Sequence, residues 1–103
     1  MVRTTTERGF EKITFSDRYN KQCYIQNSSL AEEAAIWLGI EDPEPRIMAV
    51  DAKKLGIPTN ETRGWIPFNI PEEVLVTTQM HISQKQAKDL IKVLQNFVDK
   101  GTI

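Results

Sequence analysis

The chain is poor in the side chains from which reactive sites are built, with one histidine and one cysteine in 103 residues. Cys23 has no partner for an internal disulfide, so a reducing setting is expected, the cytoplasm by default. A zinc centre needs about four His or Cys ligands, or three with an acid, and the chain does not supply them. The acids Glu41, Asp42 and Glu44 lack the glycine and terminal glutamate of a calcium loop. No GxxxxGK[ST] or GxGxxG phosphate loop occurs, and no GxSxG nucleophile elbow. No apolar run approaches the ~20 residues of a membrane span, and the polar first residues are unlike a signal peptide. No metal, no cofactor and no membrane contact is therefore expected.

Excess charge is missing too. Thirteen basic residues stand against 14 acidic ones, for a net charge of −1. Without a clustered basic face, direct nucleic-acid binding by phosphate neutralisation is not expected. The acids do concentrate over residues 29–51, where six (Glu32, Glu33, Glu41, Asp42, Glu44, Asp51) face one base, Arg46.

The clearest positive signal lies near the C-terminus. Ser83 followed three positions later by Gln86 is a capping box, and Ile82 with Ala87 can form the accompanying staple. Ala87, Leu90, Ile91, Leu94, Phe97 and Val98 keep a 3.6-residue period, which predicts an amphipathic helix over 84–100. Gly101 supplies its stop, with Lys100 in the last turn. A strand is expected before it over Val74 to Ile82, with Leu75, Thr77, Gln79 and His81 on one side and Val74, Val76, Met80 and Ile82 on the other.

Residues 1–8 carry no apolar period and read as a loose N-terminal arm. Gly9 to Phe15 and Gln22 to Gln26 alternate around the polar connection at 17–21, the pattern of a β-hairpin. Residues 29–33 suit a turn or a short helical start, and 34–40 a strand, although Ala-rich propensity leaves a full helix open. All five prolines fall between Pro43 and Pro71, which rules out a long regular element there. The proline-rich excursion at 41–73 has room for one short helix around Ala52, stopped by Gly56.

At this length one domain, 1–103, is expected, with roughly two-thirds of its unfolded surface buried. The fold class is α+β: a small antiparallel sheet of three to five strands, the C-terminal helix packed on one face, and the excursion. The helix stripe is expected over Ile13, Phe15, Cys23, Ile25, Ile36, Leu38, Val76 and Met80. The opposite face then carries Thr14, Tyr24, Gln26, Trp37, Thr77, Gln79 and His81. Tyr24 and Trp37 are large aromatics there, to be covered by the excursion with Trp65 and Phe68, by another subunit, or by a ligand.

Alternation separates Cys23 from His81, which argues against a Cys–His dyad. Ser28 and Ser29 read as turn residues. His81, beside a helix N-terminus, is placed either as an ordinary surface histidine or as a ligand contact where an anion is favoured. Arg63, Gly64 and Trp65 form either a ligand-clamping turn or a turn followed by a core anchor. The candidate ligand-binding set is Arg18, Tyr24, Trp37, Arg63, Trp65, Gln79 and His81, with the aromatics stacking a planar group and Arg18 and Arg63 meeting an anion. No catalytic set emerges, so an enzyme is not expected.

The order of short segments resembles that of small accessory proteins from tailed phages and prophages. It is carried by ITFSDRY (Ile13 to Tyr19), IQNSSLA (Ile25 to Ala31), IWLG (Ile36 to Gly39), Gly64-Trp65, and the ending Met80 to Ser83 with Gln86 and Ala87. The resemblance implies a non-enzymatic binding protein acting in the bacterial host's cytoplasm, with no catalytic residues to carry over. In that context the leading expectation is an anti-defence role, sequestering a nucleotide-type immune signal, and the open sheet face adds the expectation of a homo-oligomer. The alternatives that context leaves are an inhibitor binding a host nuclease or other defence protein, with the acidic run as its docking charge, and a small virion component.

Overall fold

A computed structural model describes all residues 1–103 and shows an α+β fold. The chain divides into two compact units, residues 1–41 with 78–103, and residues 42–77. No helix is long and apolar enough to cross a membrane.

The larger unit is a five-stranded antiparallel sheet in the order β1-β2-β3-β4-β7. Its strands are β1 (Val2–Thr5), β2 (Glu11–Ser16), β3 (Gln22–Asn27), β4 (Ala35–Ile40) and β7 (Gln79–Ser83). The hairpin at 17–21 forms as its residue types suggest. Asp17 Oδ1 accepts from the Tyr19 and Lys21 amides, both at 2.8 Å, and Asn20 takes a positive φ of 66°. Ala35–Ile40 settles as a strand rather than a helix. Residues 29–33 hold a turn without helix, in which the Leu30 amide donates to Ser28 Oγ.

Three expectations change. The arm at 1–8 is not loose, because Val2–Thr5 pairs with β2 from Thr14 to Glu11; an edge strand with one pairing partner and no buried side needs no apolar period. The strand expected from Val74 begins only at Gln79, since the Val74 amide turns back to the Pro71 carbonyl. The C-terminal helix α2 (Gln84–Lys100) forms with its full capping box and with Gly101 at φ 73°, yet none of its residues is buried. The expected packing of α2 along the sheet is limited to its first turn. Ala87 is half-buried there, whereas Ile91, Leu94, Phe97 and Val98 are 64, 59, 55 and 75% exposed.

The smaller unit turns the proline-rich excursion into a structure with its own core. Strand β5 (Arg46–Met48) pairs antiparallel with β6 (Trp65–Pro67), and helix α1 (Ala49–Lys54) follows β5 directly. Ala49 and Ala52 are fully buried against Ile66, with Ile47 and Ile57 packed around them. Gly56, at φ 73°, ends the helix as anticipated.

Register decides which side chains share a face. Ile13, Ile25, Leu38 and Met80 line up across the larger sheet on one side. The neighbouring rows add Phe15, Cys23 and Ile40, and Ile36 with Ile82. Gly39 holds a tight spot in this ladder. A Cβ there would lie 2.5 Å from the Thr78 carbonyl oxygen and 2.7 Å from Gln79 Cα, both backbone atoms that cannot swing aside. Gly39→Ala is therefore expected to lower stability by about 1–3 kcal/mol, the range of overpacked sites, read from the midpoint of urea unfolding. Ser83→Ala should cost about 1 kcal/mol through loss of the cap, with a matching fall in helical circular dichroism.

Candidate functional site

The other face of the larger sheet is polar and aromatic. Strand alternation sets Lys12, Gln26, Trp37 and His81 in one row across β2, β3, β4 and β7. The Trp37 and His81 rings stack with centroids 3.9 Å apart and planes within 8°. His81 Nε2 lies 2.8 Å from Ser28 Oγ, which fixes the imidazole edge while its face rests on the indole.

The adjacent row is Thr14, Tyr24, Gly39 and Gln79. Tyr24 donates its hydroxyl proton to Gln79 Oε1. The two residues flank Gly39, so the bridge spans the one position in the row that carries no side chain. Lys12 Nζ sits 5.0 Å above the Tyr24 ring and also pairs with Glu41. Burial raises the Tyr24 phenol above its ordinary value, the Glu41 carboxylate adds to the rise, and Lys12 opposes it.

A cavity of 440 Å³ borders Trp37 at the end of the sheet where the β1–β2 turn lies. Phe10 supplies a second aromatic wall, and Arg8, Glu7, Gln26, Asn27 and Ser29 supply polar groups. The turn is stiffened from within. The Phe10 amide donates to Thr6 Oγ1 at 3.0 Å, the Thr6 amide to the Phe10 carbonyl at 2.8 Å, and Gly9 takes a φ of 88°. The Arg8 guanidinium lies 5.5 Å from the Phe10 ring centroid, within cation–π range. The amides of Gln26 and Asn27 offer donors and acceptors to the edge of a planar heterocycle, Arg8 offers charge to an anion, and Glu7 accepts from hydroxyls.

Four of the seven candidate residues, Tyr24, Trp37, Gln79 and His81, share this one face. Arg18 does not join the cavity; it sits in the β2–β3 turn, at the opposite end of β2 from the β1–β2 turn. Arg63 and Trp65 belong to the smaller unit, on either side of Gly64 at φ 83°. Trp65 is no core anchor, being 65% exposed, because alternation along β6 turns Ile66 inward instead. The expected anion seat at the start of α2 is partly occupied, since the Gln86 amide already donates to Ser83 Oγ.

Arg8 escapes the sequence reading because residues 1–8 have the pattern of a loose arm, and Phe10 because it opens the Gly9 to Phe15 alternation, whose apolar side rests on Ile13 and Phe15. The one hint was Gly9 between them, in a stretch that leads straight into an alternating strand. Ser28 beside His81 was also hidden, since 53 positions separate them. This pair does not continue into a triad, as no acid hydrogen-bonds the remaining imidazole nitrogen. Cys23 lies on the far face, its thiol 3.5 Å from the Lys21 carbonyl. No group of three or more His, Cys, Asp and Glu side chains converges as a metal site.

The folded chain favours the neutral Tyr24 phenol. Its contribution to stability is intact below the ordinary tyrosine range and fades as pH climbs through the raised folded-state value. With Tyr19→Phe, Tyr24 is the remaining tyrosine of two. Phenolate absorbance should then rise at higher pH in native protein than in urea-unfolded protein, and coincident midpoints would contradict the assigned environment. No family model matches the chain, and neither curated proteins nor solved structures give a match.

Proposed function

We propose that this protein works by binding rather than catalysis, capturing a planar, anionic, nucleotide-like small molecule beside Trp37. The observation that carries the reading is the 440 Å³ cavity, which puts two aromatic side chains and the Arg8 guanidinium around one space. That volume is in the range of small-ligand sites. Stacking on an aromatic wall, amide pairing along a base edge and an arginine for phosphate are the complementary chemistry such a ligand needs. The resemblance of ITFSDRY, IQNSSLA and IWLG to phage accessory proteins supplies a context, a phage product that removes a nucleotide-type immune signal in the host cytoplasm.

The alternative of a protein-binding inhibitor rests on the acidic run, and several of its charges are internally matched. Glu41 meets Lys12, Glu44 meets Arg46 and Asp51 meets Lys54. No observation favours a virion component.

A thermal-shift screen against cyclic dinucleotides, nucleoside monophosphates and ADP-ribose tests the proposal. A ligand present at ~100 times its dissociation constant should add about 2.7 kcal/mol of stability. Trp37→Ala and Arg8→Ala should each weaken binding by at least ~10-fold, equivalent to about 1.4 kcal/mol. Arg18→Ala, at the other end of β2, should leave the affinity unchanged. A screen without any shift, or a ligand whose affinity ignores Trp37 and Arg8, overturns the reading.

A further inference from the structure

Two apolar surfaces of the larger unit are left open, one along its whole length and one in part. The first is the stripe of α2, where Leu90, Ile91, Val93, Leu94, Phe97 and Val98 are between 41 and 75% exposed. The second is the sheet face built on Ile13, Ile25, Leu38 and Met80, where Met80 is 58% exposed, Ile13, Ile25 and Leu38 are half-buried, and Cys23 and Ile82 of the neighbouring rows are buried at the margins of the opening. A cavity of 220 Å³ lined by Ile36, Ile82 and Ala87 joins them where strand becomes helix.

These surfaces cannot meet within one chain. Ser83 is both the last residue of β7 and the N-cap of α2, so no linker separates strand from helix. Reversing a helix onto its own sheet takes a connection of about 2–6 residues. The reciprocal Ser83 and Gln86 hydrogen bonds, at 3.2 and 3.0 Å, hold the exit direction in place.

The pattern and the amount of exposed surface indicate what covers them. Ala87, Leu90, Leu94 and Phe97 follow a heptad seam, and Ile91, Val93 and Val98 widen it on both sides. A two-helix seam is narrower; this breadth suits a helix lying on a sheet. Folded chains of 11.8 kDa expose about 5,900 Å², and even two separately folded bodies of these unit sizes expose about 7,100 Å². This chain exposes 8753 Å². The excess, roughly 1,600 Å² per chain, is what each member of an obligate homodimer buries. A 17-residue helix also draws most of its stability from packing rather than propensity.

We infer that the chain is a reciprocal homodimer in which α2 of each copy lies across the apolar sheet face of the other. The exchange is isologous, since the same stripe and the same face serve both copies, and it covers both surfaces in a single closed arrangement.

Native mass spectrometry and sedimentation of the wild-type chain at micromolar concentration should report two chains. Leu90→Cys, Leu94→Cys and Phe97→Cys, each made beside the native Cys23 on the sheet face, place thiols on successive turns of the stripe. Mild oxidation should convert at least one of these variants to a covalent dimer on non-reducing gels. The same substitution combined with Cys23→Ser should lose that product. A monomeric wild-type chain overturns the inference, as does a disulfide formed within one chain. So does a covalent dimer that persists without Cys23, which would mean helix against helix, or a dimer in which none of the three positions links to the partner's Cys23.

Discussion

The junction at Ser83 is the constraint on which the larger unit depends. One residue ends a strand, whose partner register is set by β4, and caps a helix, whose first turn is set by Gln86. Strand and helix therefore share a rigid corner rather than a hinge. The corner directs 17 residues of amphipathic helix away from the sheet that the same sequence pattern would otherwise recruit as its bed. Hydrophobic periodicity specifies that a stripe will be buried. It does not specify against what, and here the geometry of a single backbone position keeps that stripe off its own sheet.

The polar face rests on a different economy of space. Gly39 removes a side chain from the middle of a row, and Tyr24 and Gln79 reach across the opening to each other. Lys12 closes the group from one side, shared between the Tyr24 ring and the Glu41 carboxylate. In the next row Trp37 is held flat by His81, which Ser28 anchors in turn. The indole beside the cavity is thus pre-set by contacts on the sheet, so the proposed stacking of a ligand would carry a small ordering cost.

Much of this was legible in the residues. The capping box, the Gly101 stop, the hairpin at 17–21, the short helix ahead of Gly56 and the separation of Cys23 from His81 follow from local chemistry and strand alternation. So does the sharing of one face by Tyr24, Trp37, Gln79 and His81. The rest depended on long-range pairing. Val2–Thr5 has the β-branched residues of a strand but no apolar period, and it became one because β2 offered an edge. Val74 and Val76 alternate as a strand would, but a turn at Pro71 draws them out of the sheet. Arg8 and Phe10 gained a role only through that first pairing, while Arg18, the arginine that turn chemistry made conspicuous, was left at the opposite end of β2.

The smaller unit is assembled around the methyl groups of Ala49 and Ala52, with three isoleucines about them. So little apolar area gives little resistance to transient opening, and amide hydrogens of α1 and β5 should exchange with solvent through sub-global fluctuations rather than waiting for complete denaturation. The five prolines within it restrict the conformations available to the opened segment and so reduce the entropy gained on opening. Stiffness of the loosened chain then adds to the cohesion of the packed one in keeping residues 42–77 in shape.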